Sequence, residues 1–277
     1  MAGWTVLETS LGAIARLRDF EAETKVEAKD GEEIEPAKDW PSNGLIEFQN
    51  LTASYNQSQV AIQSINITIY PGQRVGICGR TGSGKSSLLS TIVRTLDYTS
   101  GSIKIDGFDL STIPRDTIRR HIITMPQDPL YLTGTVRLNV DPFSASSDNA
   151  IIQALTKVCL WPVINDRGGL DADLFPDTLS KGQQQLLALA RAMLQKSKIL
   201  LLDEATSSVD GETDKTLQKL IREEFKDCTV ITVAHRLDTI LDSDVIAVMD
   251  TGRVVEFGKP GQLMENPSSA LSKLWRN

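Results

Sequence analysis

Hydrophobic positions change period several times along the chain. Leu7, Leu11, Ile14 and Leu17 recur four, three and three residues apart, which predicts a helix with one apolar face over residues 1–20. Such a stripe is expected to pack on a core. The pattern then stops. Between residues 21 and 39 only Val26 and Ile34 interrupt a polar run, and Pro36 and Pro41 punctuate its end. A stretch of this kind buries too little apolar surface to order itself, so residues 21–43 are expected to form a solvated linker.

From Leu45 the pattern becomes that of strands. Ile65, Ile67 and Ile69 alternate with polar residues, as do Ile103 and Ile105. A period of two predicts half-buried, antiparallel strands. Later runs are continuously apolar: Ile199 to Leu202, Val230 to Val233 and Val245 to Met249. Those suit a parallel sheet covered on both faces. Helical patterns precede two of them, at Leu217, Leu220, Ile221 and Phe225 and again from Leu237 to Leu241. Strand and helix in alternation predict an α/β core. Residues about 136–197 read as mainly helical, an inserted lobe. Its strongest helix carries Leu186, Leu189, Ala190, Met193 and Leu194 on one face.

Composition narrows the classes. The chain has 277 residues, 40% apolar and 23% charged, which suits one large globular domain or one domain with an insertion. The net charge is −7, which counts against a nucleic-acid partner. Residues 21–39 hold eight acids against three lysines, so most of that excess sits in the linker. No apolar run is long enough to cross a bilayer, and MAGWTVLETS reads neither as a signal peptide nor as a myristoylation site. Cys78, Cys159 and Cys228 lie far apart and form no zinc or disulfide pattern. Cys78, in an apolar strand, is expected to be an inert buried thiol.

The chemistry begins at Gly79-Arg80-Thr81-Gly82-Ser83-Gly84-Lys85-Ser86, followed by Ser87. This is G-x-x-x-x-G-K-[ST] between a strand-like run, Arg74 to Cys78, and a helix-like one, Ser87 to Val93. Glycines let successive N–H groups converge on an anion, and the helix N-terminus adds partial positive charge. Lys85 suits the β- and γ-phosphates, and the Ser86 hydroxyl suits Mg²⁺. The run ending at Asp203 and Glu204 delivers two acids to a strand's carboxyl end, where open α/β sheets bind ligands. Asp203 suits the Mg²⁺ shell, and Glu204 suits the attacking water.

Further motifs make the sequence resemble the nucleotide-binding domains of the ATP-binding cassette superfamily over residues 44–277. Tyr55 stands 24 residues before Gly79, where the family places an aromatic that stacks on adenine. Gln127 matches the Q-loop, which reaches Mg²⁺ and water. Leu179-Ser180-Lys181-Gly182-Gln183 matches the signature, Ser208-Val209-Asp210 the D-loop and His235 the switch histidine. His121 matches no motif and reads as structural. The resemblance implies a P-loop NTPase core with a mainly parallel sheet, an antiparallel β subdomain and an inserted helical signature subdomain. It implies ATP and Mg²⁺ as ligands, with Glu204, His235 and Gln127 in catalysis. It also implies a head-to-tail partner cassette that completes the site, and transmembrane domains that the cassette drives from the cytoplasmic face of a membrane.

Gly79-Arg80-Thr81-Gly82 and the segment from Gly134 to Phe143 resemble subfamily C, the multidrug-resistance-associated exporters. Glu204 is similar to what their second cassette carries. Residues 1–20 with the acidic linker resemble the segment joining the last membrane helix to that cassette. Lys181 departs from the usual signature glycine, which bears on hydrolysis at the partner's nucleotide. The alternatives are a non-transport cassette ATPase of translation or DNA repair, set back by the acidic balance and the single cassette, and a regulatory ATP-binding module, set back by Glu204 and His235.

Overall fold

The computed structural model describes residues 2–23, 27–56, 59–175, 178–205, 209–234 and 237–276. The chain opens with helix α1 (Ala2–Glu23), then strands β1 (Ile46–Asn56), β2 (Gln59–Ile69) and β3 (Arg74–Gly79). Helix α2 (Lys85–Ile92) leads to β4 (Tyr98–Ile105), β5 (Phe108–Asp109), α3 (Arg115–His121) and β6 (Ile123–Met125). A mostly helical stretch follows: β7 (Gly134–Thr135), α4 (Val136–Val140), α5 (Asp148–Lys157), α6 (Trp161–Asn165), β8 (Asp173–Leu174) and α7 (Lys181–Leu194). The rest is β9 (Ile199–Asp203), α8 (Gly211–Glu224), β10 (Thr229–Val233), β11 (Val245–Asp250), β12 (Arg253–Gly258), α9 (Pro260–Glu265) and α10 (Ala270–Trp275).

The continuously apolar runs form the six-stranded sheet β12-β11-β3-β10-β9-β6. Neighbours from β11 to β6 are parallel, and β12 joins the edge antiparallel. The alternating runs form the antiparallel sheet β2-β1-β4-β5. This is the α/β architecture with an antiparallel subdomain that the pattern predicts. Both faces of the main sheet are covered, and β9 shows how. Ile199 and Leu201 enter one core with Ile65, Ile103 and Ile92, while Leu200 and Leu202 enter a second with Leu155, Leu187 and Leu217. Side chains that alternate across the pleat thus tie β9 to the antiparallel layer on one side and the helical lobe on the other.

Four features depart from the sequence pattern. Leu237–Thr239 forms only a 3₁₀ turn. Helix α7 is buried around more than one face, since Leu187 and Ala188 are buried along with Leu186 and Leu189. Over residues 10–21, helix α1 does not pack on this chain's core. Its described side chains are exposed, with Leu11, Ile14 and Leu17 at 57%, 53% and 64%; the Leu7 side chain lies outside the described part.

The fourth departure is the acidic segment, where residues 27–35 dock rather than float. The Glu32 side chain is 3% exposed and accepts from Arg94 at 2.9 Å and Arg115 at 3.1 Å. Asp97 joins both guanidiniums, at 3.2 Å and 2.9 Å, and Lys29 at 2.7 Å. Arg119 grips Glu27, and the Ile34 amide donates to the Thr112 carbonyl at 2.8 Å. These arginines also serve α2. Arg94 follows its C-cap in the left-handed region (φ 55°), and Arg119 donates to the carbonyls of Val93 and Arg94. Cations at a helix C-terminus satisfy its free carbonyls and oppose its negative end. The acids of the segment then neutralise those cations. Trp40 closes the segment, buried and donating from its indole to the Ile105 carbonyl at 3.1 Å. It lies against His121, whose Nδ1 meets the Thr117 carbonyl at 2.8 Å, a structural setting for that histidine.

Candidate nucleotide site

The loop between β3 and α2 sits at the carboxyl end of the parallel strands. Its glycines answer to geometry. Gly79 has φ 151°, and a Cβ there would lie 2.2 Å from the Met249 carbonyl oxygen. Gly84, the N-cap of α2, has φ 99°, and its Cβ would lie 2.6 Å from the Ala61 carbonyl oxygen. Gly82 also adopts positive φ. Any side chain would strain the first two turns and push the loop off its neighbours. The Gly252 amide donates to the Ser83 carbonyl at 3.0 Å, anchoring the loop to the turn after β11. A glycine loop of this kind leads directly into the N-terminus of α2, whose dipole favours an anion.

Lys85 is buried, and its ammonium donates to the carbonyls of Gly79 and Arg80 at 3.1 and 3.2 Å. It is therefore held over the loop, one side-chain swing from an anion seated there. Ser86 donates its hydroxyl to Asp203 at 3.0 Å. A carboxylate and a hydroxyl from distant positions thus converge beside the phosphate loop. Such hard oxygens suit Mg²⁺, which takes one or two carboxylates and fills its other positions with phosphate and water. Ser87 pairs with the Tyr55 hydroxyl at 3.0 Å, which holds Tyr55, 59% exposed, beside α2.

Glu204 follows β9 in the left-handed region (φ 51°), a conformation costly for a residue with a Cβ. Its amide donates to the Val233 carbonyl of the adjacent strand at 3.0 Å. The turn is thereby fixed immediately after Asp203. Cys78 behaves as expected: burial pushes its thiol up to about 12.

The signature residues stand apart, on the helical lobe. Ser180 caps α7 by accepting from the Gln183 amide at 3.2 Å, and the Gln183 side chain returns to the Ser180 amide at 3.0 Å. This capping box fixes a helix N-terminus with its donors facing outward. Gly182 is buried, and a Cβ there would lie 3.1 Å from Thr213 on α8. Asp210 caps α8, and hydrogen bonds, first of all from Thr213, hold its carboxyl below the ordinary range. Among the described residues, no hydrogen bond or ion pair joins Ser180, Gly182 or Gln183 to the phosphate loop. Two predicted residues, Ser208 and His235, lie outside the described residues.

Sequence reasoning missed two residues. Glu32 was hidden in a charge run. Gln185 is buried on α7 and donates to the backbone carbonyl of Gln127 at 2.6 Å. It ends the polar run Lys181 to Gln185 that opens α7, where Gln184 is buried as well, so no local signal singles it out.

Known proteins resemble this chain in sequence and in fold. The ABC transporter family model matches residues 62–207, more than half of the chain. The ABC transporter ecdL of Aspergillus rugulosus is 46% identical over 99% of the chain, and ABC multidrug transporter B of Aspergillus fumigatus is 46% identical over 98%. The chain spans only 18% and 19% of their lengths. A solved bacterial Atm1-family ABC exporter with ATP bound superposes with a TM-score of 0.86 at 26% identity, over 99% of this chain and 48% of that one. The chain belongs to the ABC transporter family, in which it forms an ATP-binding cassette.

Proposed function

We propose that this cassette binds and hydrolyses ATP with a second cassette and so powers export by transmembrane domains. The observation that carries this is the convergence of the phosphate loop, the Ser86–Asp203 pair and Glu204 at one end of the sheet. Tyr55 stacks on the base. Residues Gly79 to Ser87 cradle the phosphates, and Lys85 leaves its loop carbonyls to meet them. Ser86, Asp203 and Gln127 would hold Mg²⁺, which when bound neutralises phosphate charge. Glu204 orients and accepts a proton from water, and His235 contacts the γ-phosphate. Little covalent chemistry is asked of the protein beyond position and charge.

Head-to-tail pairing would place Ser180, Gly182, Gln183 and Asp210 against the partner's nucleotide, where the α7 N-terminus meets the phosphates. Lys181 would lie there too, adding a cation where the usual signature has glycine. We read the chain as the second, hydrolysis-competent cassette of a subfamily C exporter at the cytoplasmic face of a membrane. The Gly79–Gly82 and Gly134–Phe143 motifs, and the likeness to ABC multidrug transporter B, support this. Helix α1 then extends the last membrane helix. No described helix is long and apolar enough to cross a bilayer itself.

The test is Lys85→Ala in ATP binding. A lost charge-assisted contact is worth about 1.5–3 kcal/mol, so the dissociation constant should rise roughly 10- to 100-fold. Unchanged affinity contradicts the phosphate reading.

A further inference from the structure

Helix α7 does more than carry the signature. Four side chains, Lys181, Gln185 and Arg191 of α7 and Asn139 of α4, reach the loop leaving β6. Gln185 Nε2 donates to the Gln127 carbonyl at 2.6 Å. Arg191 donates from Nη2 to the Leu130 carbonyl at 3.0 Å and from Nε to the Asn139 carbonyl at 2.7 Å. Asn139 in turn donates to the Leu132 carbonyl at 2.8 Å and accepts from the Leu132 amide at 2.9 Å. Lys181 and Asp128 lie 3.9 Å apart. The loop's backbone is therefore held from residue 127 to residue 132 by the helical lobe.

Gln185 is the member nearest the chemistry. It is 3% exposed, so its amide is held by packing rather than by solvent. A carbonyl can only accept, so the Nε2 end must face Gln127. The Oε1 end is buried with no hydrogen-bond partner among the described residues. Flipping the amide would set two acceptors against each other, so one orientation is enforced. Gln185 lies one turn after Lys181 on the same face of the helix that Ser180 begins.

We propose that Gln185 is a positioning residue: by fixing the Gln127 backbone to α7, it presents the Gln127 side chain to the Mg-nucleotide and makes it move with the signature. This rests on the reading of Gln127 as a group that reaches Mg²⁺. Gln185 is the clamp member that bonds the Gln127 backbone itself, whereas Arg191 and Asn139 hold the loop beyond it and the Lys181–Asp128 pair is exposed.

The test uses the 277-residue chain. Variants Gln185→Met, which keeps the shape without the donor, and Gln185→Glu, which sets a carboxylate against the carbonyl, are compared with Gln127→Ala. ATP affinity is measured in EDTA and again in a Mg²⁺ titration at saturating ATP. The Mg²⁺ concentration for half-effect should rise about 2- to 10-fold in both Gln185 variants, as for one lost hydrogen bond. ATP affinity in EDTA should stay within twofold, because the phosphate loop and Tyr55 are untouched. A merely structural role would lower both affinities together, and that result overturns the proposal. If Gln127→Ala shifts the Mg²⁺ dependence and neither Gln185 variant does, positioning fails while the role of Gln127 stands. If Gln127→Ala has no effect, both fail. Hydrogen exchange of the amides at 127–129 provides a second readout. It should quicken in Gln185→Met, and unchanged protection counts against the proposal even if one variant folds poorly.

Discussion

Helix α1 and the acidic segment behind it invert each other's expectations. The helix has an apolar stripe, yet Leu11, Ile14 and Leu17 stand open on this chain. The segment is almost wholly polar, yet Glu32 is buried between two guanidiniums. A stripe says that a surface wants a partner and is silent on whether that partner lies in the same chain. A run of acids says that a segment cannot fold alone and is silent on a basic pocket waiting elsewhere. Here the pocket is built by Arg94, Arg115 and Arg119, the last two on α3 and the first just past α2.

The largest effect is expected at Glu32. Glu32→Ala removes the buried acid that Arg94 and Arg115 share and leaves them Asp97, which is part-exposed, so the loss should fall near the low end of the roughly 3–5 kcal/mol that breaking a buried pair costs. Urea unfolding should show that loss, together with faster proteolysis near residues 27–35. A change below about 0.5 kcal/mol would return the segment to the status of a solvated linker.

Acid acts on the same contacts with a smaller, graded effect. Arg119 holds the Glu27 carboxyl below its ordinary value, through its hydrogen bond above all. Burial raises Asp97, but Lys29, Arg115 and Arg94 together take it below its ordinary value. A carboxylate depressed in the folded state stabilises fully above its unfolded pKa and loses that contribution as pH falls through the folded one. The segment should therefore stay docked at neutral pH and begin to loosen only as pH drops below about 4. Hydrogen exchange of the Ile34 amide follows this directly. Loosening between pH 6 and 8 would assign the docking to other groups.

The smallest effect is expected at α1. Exposed substitutions change stability by about 0.5 kcal/mol or less, so Ile14→Gln with Leu17→Gln should leave the unfolding midpoint nearly unmoved. A large drop would mean that the stripe packs within this chain after all.

What was legible in the sequence follows the same division. The P-loop, its flanking strand and helix, and the Asp203–Glu204 strand end could be read because each is local. Apolar runs such as Ile199–Leu202 announced the buried parallel sheet because both faces of such a strand are covered. The meeting of Ser86 with Asp203 was expected because both motifs point to one Mg²⁺, whereas the docking of Glu32 and the Gln185–Gln127 contact join residues far apart in the chain that no motif pairs. No periodicity encodes such meetings; they arise when β9, α7 and α2 are brought around one sheet. The left-handed turn at Glu204 was equally hidden, since the residue type argues against it.

In the proposed function, Glu204 activates water for a nucleotide held by the phosphate loop. Its most direct test is Glu204→Gln in the protein assembled with its partner cassette, with Mg-ATP binding and phosphate release measured side by side. Binding should persist while hydrolysis falls by roughly 10²- to 10⁴-fold, the usual worth of a positioned general base. Hydrolysis at the wild-type rate in that variant would contradict the account.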